Sequence, residues 1–162
     1  MKKSLGLLLT IVSLGASVAT ADAQRAIFLV RHTEQAVGID PPLTEAGKHR
    51  AKRLAGVLKD AGIDVIYTTE FKRTGQTSEI VGRTLNIDVK IHPRRDMDGL
   101  IRRLHTQHVH DRVLIVDHSR LSMLLWGLGH REEVRIYQRD YDKLFVIIPK
   151  SDGDPLVLRL RY

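Results

Sequence analysis

The chain contains no cysteine. That excludes disulfides, thiolate metal sites and a cysteine nucleophile. Aromatic residues amount to only 5%, which leaves little for stacking bases and argues against nucleic acid as a partner. No interior stretch is rich enough in Pro, Gly or Ser to act as a domain linker, and neither an internal repeat nor a low-complexity tract is present. What remains is 162 residues, 43% of them hydrophobic, enough for the core of one domain. Acidic side chains are the minority, 19 against 26 Lys and Arg, for a formal charge of +7. A surface of that sign favours anionic partners such as phosphorylated small molecules or lipid headgroups.

Long hydrophobic runs are scarce too. The one example, Leu5 to Thr20, follows Lys2 and Lys3 and precedes Ala21-Asp22-Ala23. A positive start, an apolar run and an A-x-A site predict a secretory signal peptide over residues 1–23, cut before Gln24. Cleavage after Ala21 is the competing site. A membrane anchor is the alternative reading, but the run is short for a span of about 20 residues. Residues 24–162 are then the exported domain, periplasmic or secreted, and no later segment is long and apolar enough to cross a membrane. With residues 1–23 set aside, 24 basic residues still face 18 acidic ones.

Within that domain, apolar runs alternate with helical patterns. Ala26–Val30, Ile63–Tyr67, Ile87–Ile91 and Arg112–Val116 read as buried strands. A helix follows Thr44, a natural N-cap, with Ala51, Leu54, Leu58 and Ala61 at helical spacing and Gly62 expected just past its end. A second runs to about Leu85 and is stopped by Asn86. A third is capped by Asp96 or Asp98, and a fourth buries Leu121, Leu124, Leu125 and Leu128. Leu144–Ile148 and Leu156–Leu160 are two final strands with no long helix between them, so one is expected to run antiparallel. This order predicts a three-layer α/β/α domain around a mostly parallel sheet.

Three strand ends carry similar chemistry. Arg31 and His32 follow the first strand, Arg73 falls in the first turn after the second, and His118 follows the fourth. Side chains at the carboxyl ends of parallel strands face the ligand crevice. Phosphoryl transfer needs a nucleophile, here an imidazole, and cations to neutralise the transferring oxygens. Ser119, at the start of the last helix, adds backbone amides that could face an anion.

Four segments in order carry a family resemblance: Leu29-Val30-Arg31-His32-Thr33-Glu34, Leu43-Thr44-Glu45-Ala46-Gly47, Tyr67 to Thr74 with Thr77, and Val113 to Ser119. Together they resemble the histidine phosphatase superfamily, whose catalytic domain is like that of cofactor-dependent phosphoglycerate mutase. The resemblance implies that His32 is the nucleophile, becoming phosphohistidine, and that Arg31, Arg73 and His118 bind the phosphoryl group. It calls for no cofactor and no metal. The expected activity is hydrolysis of phosphomonoesters, and the expected partner is an anionic phosphorylated substrate. The short connection from Ile91 to Arg112 leaves no room for the helical cap of larger mutases, so the pocket should be open to water and bulky substrates.

Two departures from the family pattern matter. Asp117 stands where Gly usually precedes the second His. The leaving-group acid has no clear match, and Asp96, Asp98, Glu34 and Asp117 are all open candidates. Pointing at His118, Asp117 would favour the imidazolium. Pointing into the pocket, it would repel substrate or act as an acid. The expectation is that it points away from the phosphate. Because of Asp117, a non-catalytic phosphate- or anion-binding protein with the same fold stays open as the alternative. His105, His108 and His110 lack a standard zinc spacing and read as a solvated turn. Nothing in the sequence speaks to oligomeric state.

Overall fold

The computed structural model describes residues 25–150 and 152–162. The proposed signal peptide therefore lies outside the described residues. The elements are β1 (Ala26–Arg31), α1 (Glu45–Leu58), β2 (Val65–Thr68), α2 (Lys72–Leu85), β3 (Val89–Ile91), α3 (Met97–Thr106), β4 (Arg112–Asp117), α4 (Leu121–Gly127), β5 (Lys143–Ile148) and β6 (Leu156–Arg161). They form one six-stranded sheet in the order β3-β2-β4-β1-β5-β6. The β3, β2, β4 and β1 strands are parallel, while β5 runs antiparallel to both β1 and β6. The single reversed strand is β5, as the missing crossover helix predicts.

Both sheet faces are covered. Ile27, Leu29, Val113 and Ile115 pack with Leu100 and Leu104 of α3 and Leu121, Leu124 and Leu125 of α4. Phe28, Val30, Leu114 and Val116 pack with Leu54, Ala55 and Leu58 of α1 and Val81 of α2. The alternate residues of β1 and β4 thus feed two cores, which is why both strands read as unbroken apolar runs. The only helix between β3 and β4 is α3, so no helical cap is inserted there.

Several boundaries differ from the sequence reading, each for a local reason. The α1 helix ends at Leu58 with Lys59 as its C-cap, and Gly62 lies beyond it in the turn to β2, with φ of 63°. The β2 ladder starts at Val65, because the Asp64 side chain is taken by the Arg112 amide at 2.8 Å. The β3 strand starts at Val89, not Ile87. Asn86 adopts a left-handed conformation, and the Asn86 and Ile87 amides both close onto the Gly82 carbonyl at the end of α2. Asp96, not Asp98, caps α3, accepting from the Gly99 amide at 3.0 Å.

One contact ties α1 to the end of β1. Thr44 caps α1 by accepting from the Gly47 amide at 3.1 Å. Its own amide donates to the Glu34 carbonyl at 2.9 Å. A Cβ on Gly47 would lie 2.2 Å from that same carbonyl oxygen. Gly56, on the exposed side of α1, has nothing within 4 Å of a built Cβ. The two glycines should therefore respond oppositely to alanine. Gly47→Ala should lower unfolding free energy by about 1–3 kcal/mol, the usual cost of overpacking. Gly56→Ala should raise it by about 0.5–1 kcal/mol through helix propensity. Urea unfolding of the two variants beside the parent checks both signs.

Candidate active site

Parallel pairing sets Arg31 opposite Asp117, and the His32 amide donates to the Asp117 carbonyl at 2.9 Å. Two histidines from chain segments far apart in sequence thus leave neighbouring strand ends together. Their ring centroids are 5.4 Å apart, edge to face.

His32 is 2% exposed. Its Nδ1–H donates to the Thr33 carbonyl at 2.8 Å. That bond fixes the tautomer and leaves the Nε2 lone pair available. Burial, with the Arg31 and Arg73 charges, lowers the His32 pKa to about 4 against the opposing pull of the Thr33 carbonyl. The imidazole is therefore neutral at physiological pH, as a nucleophile requires. Thr33 is itself fixed: its amide donates to Thr77 Oγ1 at 3.2 Å, and the Thr77 hydroxyl donates to the Arg73 carbonyl at 2.8 Å. The start of α2 and the end of β1 are thereby fastened to each other.

His118 is reached through a hydroxyl relay. Thr74 Oγ1 lies 2.9 Å from the Phe71 carbonyl, Thr69 Oγ1 lies 2.7 Å from Thr74 Oγ1, and His118 Nε2 lies 3.0 Å from Thr69 Oγ1. If the Thr74 hydroxyl donates to the carbonyl, Thr69 donates to Thr74 and His118 Nε2–H donates to Thr69. Nδ1 is then the ring's remaining polar atom, and it is buried without a partner. Burial and the charges of Arg73, Arg94 and Arg120, with His32 beside it, push the His118 pKa down to about 3. The Asp117 carboxylate does not produce the raised pKa that a contact with the ring would give. Its Oδ1 accepts from the His118 backbone amide at 2.6 Å and its Oδ2 lies 3.7 Å from Arg120 Nη2.

Arg31 is held from behind. Its Nη1 donates to the Tyr137 and Gln138 carbonyls at 2.9 and 2.7 Å, and its guanidinium lies 4.9 Å from the centre of the Tyr141 ring. Nε of Arg31 is buried with no partner. Arg73 stacks on Phe71 at 4.8 Å, with Nη1 3.5 Å from Asp40. Two guanidinium groups and two imidazoles thus share one crevice with an unpaired Arg31 Nε–H, a setting suited to a multiply charged oxyanion.

The other candidates are placed differently. Ser119 is exposed, and the helix after it is a single short one starting at Leu121 with Arg120 as N-cap. Glu34 is bound by Arg50 at 2.7 Å and Asp96 is the α3 cap. Asp98 lines a separate cavity of about 620 Å³ with Ile101, Met123 and Trp126. His108 corrects the reading of a solvated turn. It is buried, with Nε2 2.9 Å from the Tyr67 hydroxyl and Nδ1 2.7 Å from Asp111. Tyr137, Gln138 and Tyr141 were invisible to sequence reasoning. They lie in the irregular segment between α4 and β5, and nothing in their spacing signals a site. Thr69 and Thr77 sat inside a recognised segment but with no role attached.

The class is set by this arrangement: a phosphoglycerate mutase-like α/β domain with an Arg-His pair after β1 and a second His after β4. Residues 27–98 match the sequence model of the histidine phosphatase superfamily (branch 1), which covers Arg31, His32 and Arg73. Over those residues the chain is similar to the histidine phosphatase superfamily. Among curated proteins it is 36% identical over 89 residues to "Probable phosphoglycerate mutase GpmB" of Cronobacter sakazakii, covering 49% of this chain and 41% of that protein. It is 39% identical over 71 residues to "Phosphoserine phosphatase 1" of Hydrogenobacter thermophilus, covering 39% and 34% respectively. The chain thus spans about two fifths of the length of the curated relatives it matches. The fold is also that of the protein histidine phosphatase SixA complexed with tungstate, with a TM-score of 0.72 and 22% identity over 84% of this chain and 96% of that one. The alpha-ribazole phosphatase of Shigella flexneri gives a TM-score of 0.69 with 19% identity, over 85% of this chain and 96% of that one.

The depressed imidazoles make stability pH-dependent. An unfolded imidazole takes its proton near pH 6.5. The folded His32 and His118 do so only near 4 and 3. Between those values the unfolded chain binds more protons, so stability is full above about pH 6.5 and falls as the pH drops. Urea unfolding at pH 5 should give a free energy lower than at pH 7 by about 1 kcal/mol or more. A His32→Asn, His118→Asn double variant should lose most of that slope.

Proposed function

We propose that the protein is a phosphatase that hydrolyses phosphomonoesters through a phosphohistidine at His32. The observation that carries this reading is the neutral His32 imidazole, with Nδ1–H tied to a backbone carbonyl and Nε2 bare, beside two arginines and His118. In the first step Nε2 attacks phosphorus to form the P–N bond, the ester P–O bond breaks, and the leaving oxygen takes a proton from solvent water. In the second, water attacks the phosphohistidine, the P–N bond breaks, and inorganic phosphate leaves with His32 restored. Arg31, Arg73 and His118 hold the transferring oxygens. Incoming negative charge offsets the positive surroundings of His118 and favours protonation at Nδ1, which then donates to the phosphoryl group.

Glu34 and Asp96 are engaged by Arg50 and by the α3 cap, so neither is poised as a leaving-group acid. That favours substrates whose leaving group departs readily. The carboxylate that kept a non-catalytic anion binder open is Asp117, and its oxygens are taken up by the His118 amide and Arg120. This supports the catalytic reading. We place the protein outside the cytoplasm on the strength of Lys2-Lys3, the apolar run and Ala21-Asp22-Ala23. The chemistry assigned here requires no metal.

His32→Ala should abolish turnover of aryl and alkyl phosphates while the thermal midpoint stays that of a folded domain. Loss of a catalytic nucleophile elsewhere costs roughly 10⁶-fold in kcat. Acid-labile label on the parent after rapid quenching, absent from His32→Ala, identifies the intermediate. More than a tenth of parental activity in the variant defeats the mechanism, and inhibition by a chelator defeats its metal independence. N-terminal sequencing of exported protein should begin at Gln24 or Asp22, and retention of Met1 counts against export.

A further inference from the structure

A second cationic group stands beside the crevice, and the reaction above leaves it unused. Residues 92–96 cross the carboxyl end of β2. The His92 amide donates to the Thr68 carbonyl at 2.7 Å, and the Arg94 amide donates to Glu70 Oε2 at 2.8 Å. The Arg94 backbone is thereby tied to Glu70, which follows Thr69, the residue that bonds His118 Nε2. From the other side, Arg120 Nη2 donates to the Arg94 carbonyl at 2.5 Å and lies 3.7 Å from the Asp117 carboxylate. The backbone of Arg94 and the side chain of Arg120 are therefore positioned together.

The charges in this corner are not balanced. The Arg94 guanidinium makes no ion pair among the described residues, and the Arg120 guanidinium has only the long contact to Asp117. Nε of Arg94 and Nε of Arg120 are both buried with no hydrogen-bond partner. A buried unpaired donor is costly, more so when charged. Both arginines also depress His118, so their fields reach the crevice. Arg31 and Arg73 with His118 already suffice for the three oxygens of one phosphoryl group. Each of these guanidinium groups is a planar fork of donors that suits another oxyanion.

We propose that Arg94 and Arg120 form a second anion subsite next to the phosphoryl pocket, so that the preferred substrates carry a carboxylate, phosphate or sulfate besides the scissile phosphoryl group. This rests on the reading of the crevice as a phosphoryl pocket. It adds that the leaving portion of the substrate is itself anionic and enters over Thr69 and the 92–96 segment. The positive charge of the corner then selects among phosphomonoesters.

Binding of non-hydrolysable phosphonates tests the subsite without turnover. Calorimetry on the exported domain would compare methylphosphonate with methylenediphosphonate and 3-phosphonopropionate, which carry a second anionic group at two reaches. At least one of the two doubly anionic compounds should bind tenfold or more tightly than methylphosphonate. Arg94→Gln should reduce that ratio at least fivefold, and Arg120→Gln should do likewise. Equal affinity for all three compounds in the parent overturns the subsite, as does a ratio unchanged in both variants. Methylphosphonate binding with no added preference leaves the phosphoryl pocket standing and removes only the subsite. Failure of all three to bind overturns both.

Discussion

The register of β1 against β4 is the constraint on which the rest of the site depends. Arg31 lies opposite Asp117, and the His32 amide closes onto the Asp117 carbonyl. A shift of one residue would turn both histidines to opposite faces of the sheet, because strand side chains alternate. The register is in turn held by burial. Val30 and Val116 sit on one face and Leu29 and Ile115 on the other, all 2% exposed or less. A slip would put every one of them on the wrong core. Hydrophobic packing on both faces therefore fixes the separation of two imidazoles that belong to neither core.

Around that frame the site is held by polar contacts of short reach. Thr33, Thr77 and the Arg73 carbonyl link β1 to α2, and Thr74, Thr69 and His118 link α2 to β4. Threonine suits the task, because a hydroxyl can accept and donate at once and its branched side chain has few rotamers. The crevice nevertheless has a cost in stability. Two imidazoles are held neutral by burial among cations, and Arg31 Nε and His118 Nδ1 are unpaired. Such a site is tolerated because the cores beneath it are continuous.

The segment between α4 and β5 shows how an irregular stretch can be structurally demanding. Tyr137 and Gln138 spend their carbonyls on Arg31, and Tyr141 lies against both Arg31 and His32, 6.0 Å from the latter ring. Asp140 secures the turn by accepting from the Tyr137 amide and Lys143, each at 2.7 Å. The segment fixes the guanidinium through backbone acceptors, so side-chain identity at Gln138 leaves little trace in the arrangement.

The sequence alone determined the layer architecture, one reversed strand among the last two, and the placing of Arg31, His32 and His118 at strand ends with Arg73 in the first helical turn after the second strand. Those follow from local pattern, because an apolar run of strand length ending in a cation or imidazole can be read without knowing its neighbours. Tertiary structure decided what local pattern does not encode. Ile87 left the sheet because its amide closes α2. His108 became buried because Tyr67, 41 positions away, meets it. Asp117 turned from the ring because its own strand end offers the His118 amide and Arg120. Tyr141 joined the site through a loop with no periodicity, and Arg94 met Arg120 only because residues 92–96 cross the end of β2. In each case a polar group chose its partner by proximity in the folded chain, and proximity across the sheet is a property of the register rather than of any single segment.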